Sequence, residues 1–121
     1  GYSYHVNIVD QKWVKEGIEK SLKYLNKIKS LSEKYKFQIV IVNYPSALEV
    51  IDKIKSKNSK HFNFLNEWSL NNKVIFIDTR NDFINESHSN NYLNNFIPCD
   101  VHWNKNGHLI ISKNINSFIN E

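Results

Sequence analysis

The chain has 121 residues, a formal net charge of +4, 40% hydrophobic residues and 13% aromatic residues. This length suffices for one hydrophobic core and is too short for two, so residues 1–121 are predicted to form a single domain. No apolar run is long enough to cross a bilayer, and the single cysteine excludes an internal disulfide. Arg80 is the only arginine, and lysines are interleaved with glutamates, which predicts a solvated surface and no nucleic-acid partner.

The first half of the chain predicts a helix, a strand and a second helix. Residues Trp13 to Lys36 carry apolar side chains at spacings of three and four, which is typical of an amphipathic helix. Its apolar face consists of Val14, Ile18, Leu22, Leu25, Ile28, Leu31 and Tyr35. The run Phe37 to Val42 is rich in β-branched residues and predicts a strand buried on both faces of a parallel sheet. Pro45 and Ser46 then open a helix from Ala47 to about Lys55, with Ser46 as its cap.

The second half repeats this pattern with a longer irregular part. A weaker helix, His61 to Leu70, precedes an apolar strand, Val74 to Ile77. Asp78 follows at the carboxyl end of that strand, where open α/β sheets usually bind ligands. Residues Asn81 to Pro98 are rich in asparagine and predict a surface segment with a short helix. The last helix runs from about Lys105 to Ile119, capped by Asn104, with Ile111, Ile115, Phe118 and Ile119 on its buried face.

Alternating helices and strands predict an α/β fold with a parallel sheet. Two strands cannot form a stable sheet that is covered on both faces, so we expect further strands. They would come from residues upstream of Gly1, from a partner chain, or from "GYSYHVNIV". The sequence has no methionine and hence no initiator, which favours a piece of a larger protein. An unpaired sheet edge also predicts that the isolated chain self-associates.

The segment "CDVHWNKNGHLIIS", residues 99–112, carries the densest group of chemically active side chains. Asp100 and His102 are separated by one residue in a loop before a helix. A carboxylate beside an imidazole holds one ring nitrogen, fixes the tautomer and stabilises the charged form. The other nitrogen then remains available to take a proton from a nucleophile. The simpler interpretation is a loop histidine bonded to a nearby carboxylate.

The longer pattern "DVHWNKNGH" before an apolar helix resembles the C-terminal catalytic block of the SGNH (GDSL-like) hydrolase superfamily. The likeness is greatest to its acyl-esterase and polysaccharide O-acetyltransferase-like members, and it covers most of the chain. A helix, a strand ending in "VNYPS", a helix, a strand ending in "FIDTR" and an irregular segment precede the block in the same order. The resemblance implies the C-terminal half of a three-layer, flavodoxin-like parallel sheet. It also implies an extracytoplasmic or membrane-associated setting.

The resemblance further implies roles for individual residues. His102 would be the general base and Asp100 its orienting acid. Asn104 would cap the helix that holds the loop, while Gly107 would allow the helix to approach the sheet. Trp103 would line an acyl or sugar pocket, although a tryptophan beside a helix start is more often a core residue. The substrate would be an acylated small molecule or carbohydrate, and no cofactor is implied. His108 is expected to pack or bond locally.

The family's nucleophile, a serine in a Gly-Asp-Ser block, has no counterpart in this sequence. Ser3, in "GYS", has only a superficial likeness to it, and Ser46 is better explained as a helix cap. Asn43 is a candidate donor to the substrate oxyanion. The chain alone is therefore expected to be inactive as an esterase or acyltransferase.

Two other functions compete with this one. Asp100, His102 and His108, with Asp78 as a fourth ligand, offer the donor types of a metal site. Their spacing does not place the two histidines on one helix face, and no cysteine pair supports the site. The missing nucleophile instead favours a non-catalytic binding or assembly domain.

Overall fold

A computed structural model describes residues 12–51, 59–87, 92–100 and 102–120 of the chain. The helices are α1 (Lys12–Tyr35), α2 (Ala47–Ile51), α3 (Lys60–Asn71), α4 (Arg80–Ser87) and α5 (Lys105–Ile119). The strands are β1 (Val40–Asn43) and β2 (Ile75–Asp78), and a short 3₁₀ helix spans Tyr92–Asn95. The order of predicted elements is confirmed in these ranges. The predicted end of the second helix at Lys55 and the strand suggested in "GYSYHVNIV" lie outside the described residues.

The long helix α1 ends where its backbone enters a left-handed turn. Lys36 has a φ of 59°, and the Phe37 amide donates to the Ser32 carbonyl at 3.2 Å. This six-to-one hydrogen bond after a left-handed residue is the Schellman pattern, which usually employs glycine. The predicted boundary is therefore correct to within one residue.

The apolar face of α1 is covered only in part. Ile28, Leu31 and Tyr35 belong to this face, yet their exposed fractions are 43%, 47% and 63%. The half-buried apolar side chains of α1 are Val14, Ile18, Leu22 and Leu25. One polar anchor to the rest of the protein is the Trp68 indole, which donates to the Asn26 side chain at 2.8 Å. The apolar stripe of α1 is thus wider than the surface that covers it.

The predicted three-layer, flavodoxin-like parallel sheet is wrong. The described residues are mostly helical and contain two paired strands. These strands are parallel, in a register that runs from Val40 opposite Ile75 to Asn43 opposite Asp78. Neither strand is buried along its length, and Val40 is 40% exposed. Since buried parallel strands need layers on both faces, this small sheet cannot be the centre of the described fold.

The hydrophobic core lies among helices instead. It consists of Val50, Phe83, Phe96, Ile110 and Ile111, with Val42, Ala47, Trp103 and Ile115 packed against it. These residues come mainly from α2, α4, α5 and the segment after the 3₁₀ helix. The burial that stabilises this part of the fold is therefore between helices. This explains why sequence patterns for two strands misled the prediction of fold class.

Local hydrogen bonds determine where each strand ends and the next helix begins. The Ser46 hydroxyl accepts from the Glu49 amide at 3.3 Å, and the Glu49 carboxylate accepts from the Ser46 amide at 2.7 Å. This reciprocal pair is a capping box and confirms Ser46 as the cap of α2. After β2, the buried Thr79 donates through both its amide and its hydroxyl to the Asn43 carbonyl. The carboxyl ends of the two strands are thereby joined.

None of the helices in the described ranges combines the length and the apolar character that a bilayer crossing requires.

Candidate functional site

The segment before α5 folds back on itself as a narrow loop. Phe96 and Trp103 form an isolated antiparallel bridge, and the Ile97 amide donates to the His102 carbonyl at 2.9 Å. Residues on an extended strand alternate between opposite faces. Accordingly Phe96 is buried and Trp103 half-buried, while His102 is exposed. The loop therefore exposes His102 to solvent, while Phe96 and Trp103 attach the loop to the core.

A tight turn closes this loop. The Asp100 amide donates to the Ile97 carbonyl at 3.0 Å, and Cys99 has a φ of 63°. Proline at the second position and a positive φ at the third are features of a type II β-turn. Pro98 supplies the fixed φ of the second position. Asp100 is the fourth residue of this turn and lies at the start of the returning strand.

Asp100 and His102 are in direct contact. The Asp100 Oδ1 atom lies 2.5 Å from His102 Nδ1 and accepts a second hydrogen bond from the His102 amide at 3.0 Å. The His102 side chain is 77% exposed and the Asp100 side chain 44% exposed. The predicted proximity of carboxylate and imidazole is thus present in the structure.

The pair has a defined chemistry. An ionised carboxylate only accepts hydrogen bonds, so in neutral His102 the proton belongs on Nδ1. The Nε2 lone pair then points away from the carboxylate and can accept a proton. The arrangement can therefore perform general base and general acid steps at one exposed atom.

Asn104 fixes the loop to the start of α5. Its Oδ1 atom accepts from the amides of Asn106 at 2.8 Å and Gly107 at 3.3 Å. Its Nδ2 atom donates to the carbonyls of Asn94 at 2.8 Å and Phe96 at 3.0 Å. Every hydrogen-bonding position of this amide is therefore used. Asn104 caps the helix, as predicted, and also ties the helix to the outgoing arm of the loop.

Trp103 joins the loop to the rest of the protein. Its ring contacts Tyr44 edge-on at 4.0 Å between centroids, and Phe83 lies at 6.2 Å. The His108 ring lies 5.3 Å from the Trp103 ring, so His108 packs locally as expected. These contacts favour an anchoring role for Trp103.

Gly107 occupies a position that admits no larger residue. A Cβ atom there would lie 2.6 Å from the Asn95 carbonyl oxygen and 2.7 Å from Trp103 Cβ. The close approach is to Asn95, at the end of the 3₁₀ helix, and to Trp103. The resemblance instead implied an approach to the sheet.

Asn43 lies at the carboxyl end of β1 and is only 4% exposed. Its carbonyl is occupied by the two hydrogen bonds from Thr79. The next residue, Tyr44, is the one that contacts Trp103. The structure thus brings the end of β1 towards the loop through Tyr44, while Asn43 itself has little surface for a substrate.

The metal hypothesis loses one of its ligands. Asp78 is held by Arg80, whose Nε and Nη2 atoms donate to its carboxylate at 2.9 Å. The Arg80 guanidinium also stacks on the Phe62 ring at 3.3 Å. In the ranges that the structure describes, no three His, Cys, Asp or Glu side chains are grouped as metal ligands.

The Asp100–His102 pair was predicted from the sequence, but the residues that hold its loop in place were not. Tyr44 and Asn95 were not predicted to contribute, although an aromatic residue directly after a strand was a usable signal for Tyr44. Ser3 lies outside the described residues, and Ser46 serves as a cap. A shallow cavity of about 420 Å³ lies at the amino ends of the strands, and none of its lining residues belongs to this loop.

Comparison with protein-family models, with curated proteins and with solved structures gave no match to this chain.

Proposed function

We propose that Asp100 and His102 form the acid and base of a serine-type ester hydrolase or O-acyltransferase. The substrates would be acyl esters, acetyl esters among them, carried by a small molecule or a carbohydrate. One observation supports this most strongly: Asp100 Oδ1 lies 2.5 Å from His102 Nδ1 while the His102 side chain is 77% exposed. This leaves Nε2 in reach of a second reactant.

In the proposed reaction, Nε2 of His102 takes the proton from a serine hydroxyl as its oxygen attacks the acyl carbonyl. The Asp100 carboxylate stabilises the imidazolium that forms. The imidazolium then gives its proton to the departing alcohol, leaving an acyl-serine. Water or an acceptor alcohol attacks this ester by the same proton transfers in reverse. The serine would not come from the described residues around the Asp100–His102 loop.

The pattern "DVHWNKNGH" supports this proposal because it resembles the SGNH catalytic block in residue types and spacing. The described fold gives no such support, since its core is helical. Stability offers a poor alternative explanation for the pair, because exposed ion pairs typically contribute about 0–1 kcal/mol. The pair's geometry is thus better explained by chemistry at Nε2.

The test is turnover of 4-nitrophenyl acetate by the protein expressed from its complete gene. We expect His102→Ala to lower kcat by about a hundredfold or more, since general base catalysis contributes at least that much. His108→Ala is the matched control, because His108 is also exposed and lies on the same loop–helix unit. Its turnover should stay near that of the parent protein. An inactive parent, or a His102→Ala variant with parental kcat, would refute the proposal.

A fluorophosphonate probe identifies the partner serine in the same samples. The probe should label one serine in the parent protein and in His108→Ala, and the labelled peptide locates that residue. Labelling should be lost in His102→Ala, because the serine is then no longer activated.

A second function, that of a non-catalytic assembly domain, is favoured by the small sheet. Val40, the first residue of β1, is 40% exposed, and Phe37, three residues before the strand, is 47% exposed. An edge strand with exposed apolar residues is a template for pairing with another chain. In this case a second copy would pair along β1, and light scattering would show a dimer that Val40→Lys converts to a monomer. A monomeric parent protein would exclude this function.

A further inference from the structure

Helix α1 carries an apolar seam that the described part of the chain leaves exposed. The seam consists of Tyr24, Ile28, Leu31 and Tyr35, whose exposed fractions range from 43% to 63%. Their spacings of four, three and four residues keep them on one line along the helix. A narrow line of this kind is typical of a seam that receives a second helix. A bilayer surface would require a broader apolar face.

One side of the seam is lined by lysines at seven-residue spacing. These are Lys20, Lys27 and Lys34, and all three are exposed. The Lys27 and Lys34 ammonium groups also lie 5.4 Å and 5.1 Å from the Tyr24 and Tyr35 rings. In a two-helix contact, residues in this position face the flanking residues of the partner and select it by charge.

The rest of α1 strengthens the same charge preference. Counting the residues of Lys12–Tyr35 gives seven lysines and three glutamates, hence a net charge of +4. That equals the net charge of the whole chain, so the remaining residues sum to zero. The excess positive charge of the protein is therefore concentrated on this helix.

A second copy of α1 fits this seam poorly. In an antiparallel pair the lysine rows would face each other, and like charges in these positions oppose association. In a parallel pair the lysines would face Leu25 and Ser32, which the domain itself half-buries and buries. Both arrangements leave the lysines without an opposite charge.

We infer that the seam of α1 binds an amphipathic helix of another protein, one whose apolar stripe is flanked by glutamate or aspartate. The apolar stripe fills the line from Tyr24 to Tyr35, and the acidic flank pairs with Lys20, Lys27 and Lys34. This surface is independent of the Asp100–His102 site and of the function proposed for it.

The test uses two labelled synthetic helices with leucine at every seam position, one flanked by glutamates and the other by lysines. Fluorescence anisotropy should show binding of the acidic peptide and at least tenfold weaker binding of the basic one. Lys27→Glu with Lys34→Glu should reverse this preference. The matched control exchanges Lys105 and Lys113, exposed lysines of α5, for glutamate and should leave the preference unchanged.

A second pair of variants tests the apolar contact. Leu31→Lys should weaken binding of the acidic peptide by tenfold or more, whereas Leu109→Lys should not. Leu109 is a fair control because it is 48% exposed on α5, against 47% for Leu31 on α1. Circular dichroism should be the same for all variants, since every exchanged side chain is exposed.

Three results would overturn the inference. The first is equal binding of both peptides, or binding of neither. The second is a parent dimer that Leu31→Lys dissociates, which would assign the seam to a second copy. The third is binding of vesicles of phosphatidylcholine and phosphatidylglycerol that Leu31→Lys abolishes while peptide binding is unaffected, which would assign it to an anionic lipid surface.

Discussion

Replacing Asn104 by aspartate distinguishes the two roles of this residue, which are to cap α5 and to donate to the carbonyls of Asn94 and Phe96. Aspartate retains the oxygen that accepts from the Asn106 and Gly107 amides, and a negative charge at a helix start contributes about 0.3–1 kcal/mol. It loses the Nδ2 donor and turns a carboxylate towards the carbonyls of Asn94 and Phe96. Two hydrogen bonds at about 1 kcal/mol each are lost, and the carbonyl–carboxylate repulsion offsets the gain at the helix start. We expect a net loss of about 2 kcal/mol.

Urea unfolding monitored by circular dichroism measures this loss. With an m-value of about 1–3 kcal/mol/M, the midpoint should fall by about 1 M. Asn106→Asp is the matched control, because Asn106 donates one exposed hydrogen bond, to Asn94 at 3.0 Å. Its midpoint should move by less than half as much. If Asn104→Asp is as stable as the parent, or no worse than Asn106→Asp, the tie between loop and helix is not what holds this segment.

Three further changes test the loop and the core. Gly107→Ala should cost about 1–3 kcal/mol by overpacking, whereas Gly17→Ala, with open space around it, should gain up to about 1 kcal/mol from helix propensity; equal midpoints in urea would contradict this. Phe83→Ala removes a fully buried ring and should cost about 3–5 kcal/mol, so a cooperative unfolding transition with a parental midpoint would refute the helical core. Asp100→Asn should leave stability within about 1 kcal/mol of the parent. It should also move the proton of neutral His102 from Nδ1 to Nε2, which long-range ¹H–¹⁵N spectra detect. An unchanged tautomer would argue against control of the tautomer by Asp100.

The parts of the fold that sequence reasoning predicted are determined by neighbours along the chain. The end of α1 follows from a local backbone turn at Lys36, and the start of α2 from the reciprocal bonds of Ser46 and Glu49. Asp100 and His102, which are in contact, lie only two positions apart in the sequence. Each of these features depends on contacts between residues that are close in the sequence. A local sequence pattern is therefore sufficient to predict it.

The parts that failed depend on distant contacts. The apolar run of β1 looks the same in sequence whether a sheet is large or small, so it could not show that only β2 pairs with it among the described residues. Likewise, the spacing of α1 predicts an apolar face but not how much of it the protein covers. Tyr44 and Trp103 are 59 positions apart, and their contact follows from packing alone.

The neighbouring residues His102 and Trp103 explain how the loop combines rigidity with access. The antiparallel bridge sends Trp103 towards the core and leaves His102 in solvent, because adjacent residues of an extended strand face opposite ways. The Asn104 side chain accepts two hydrogen bonds from the first turn of α5 and donates two to the carbonyls of Asn94 and Phe96, which holds the loop to the helix. Ordering an exposed imidazole against a carboxylate contributes little to stability, yet an acid–base group must be held in a fixed position to transfer protons efficiently. This support is compatible with the proposed proton-transfer role of His102, and the Asp100 carboxylate also helps to order the loop by accepting from the His102 amide.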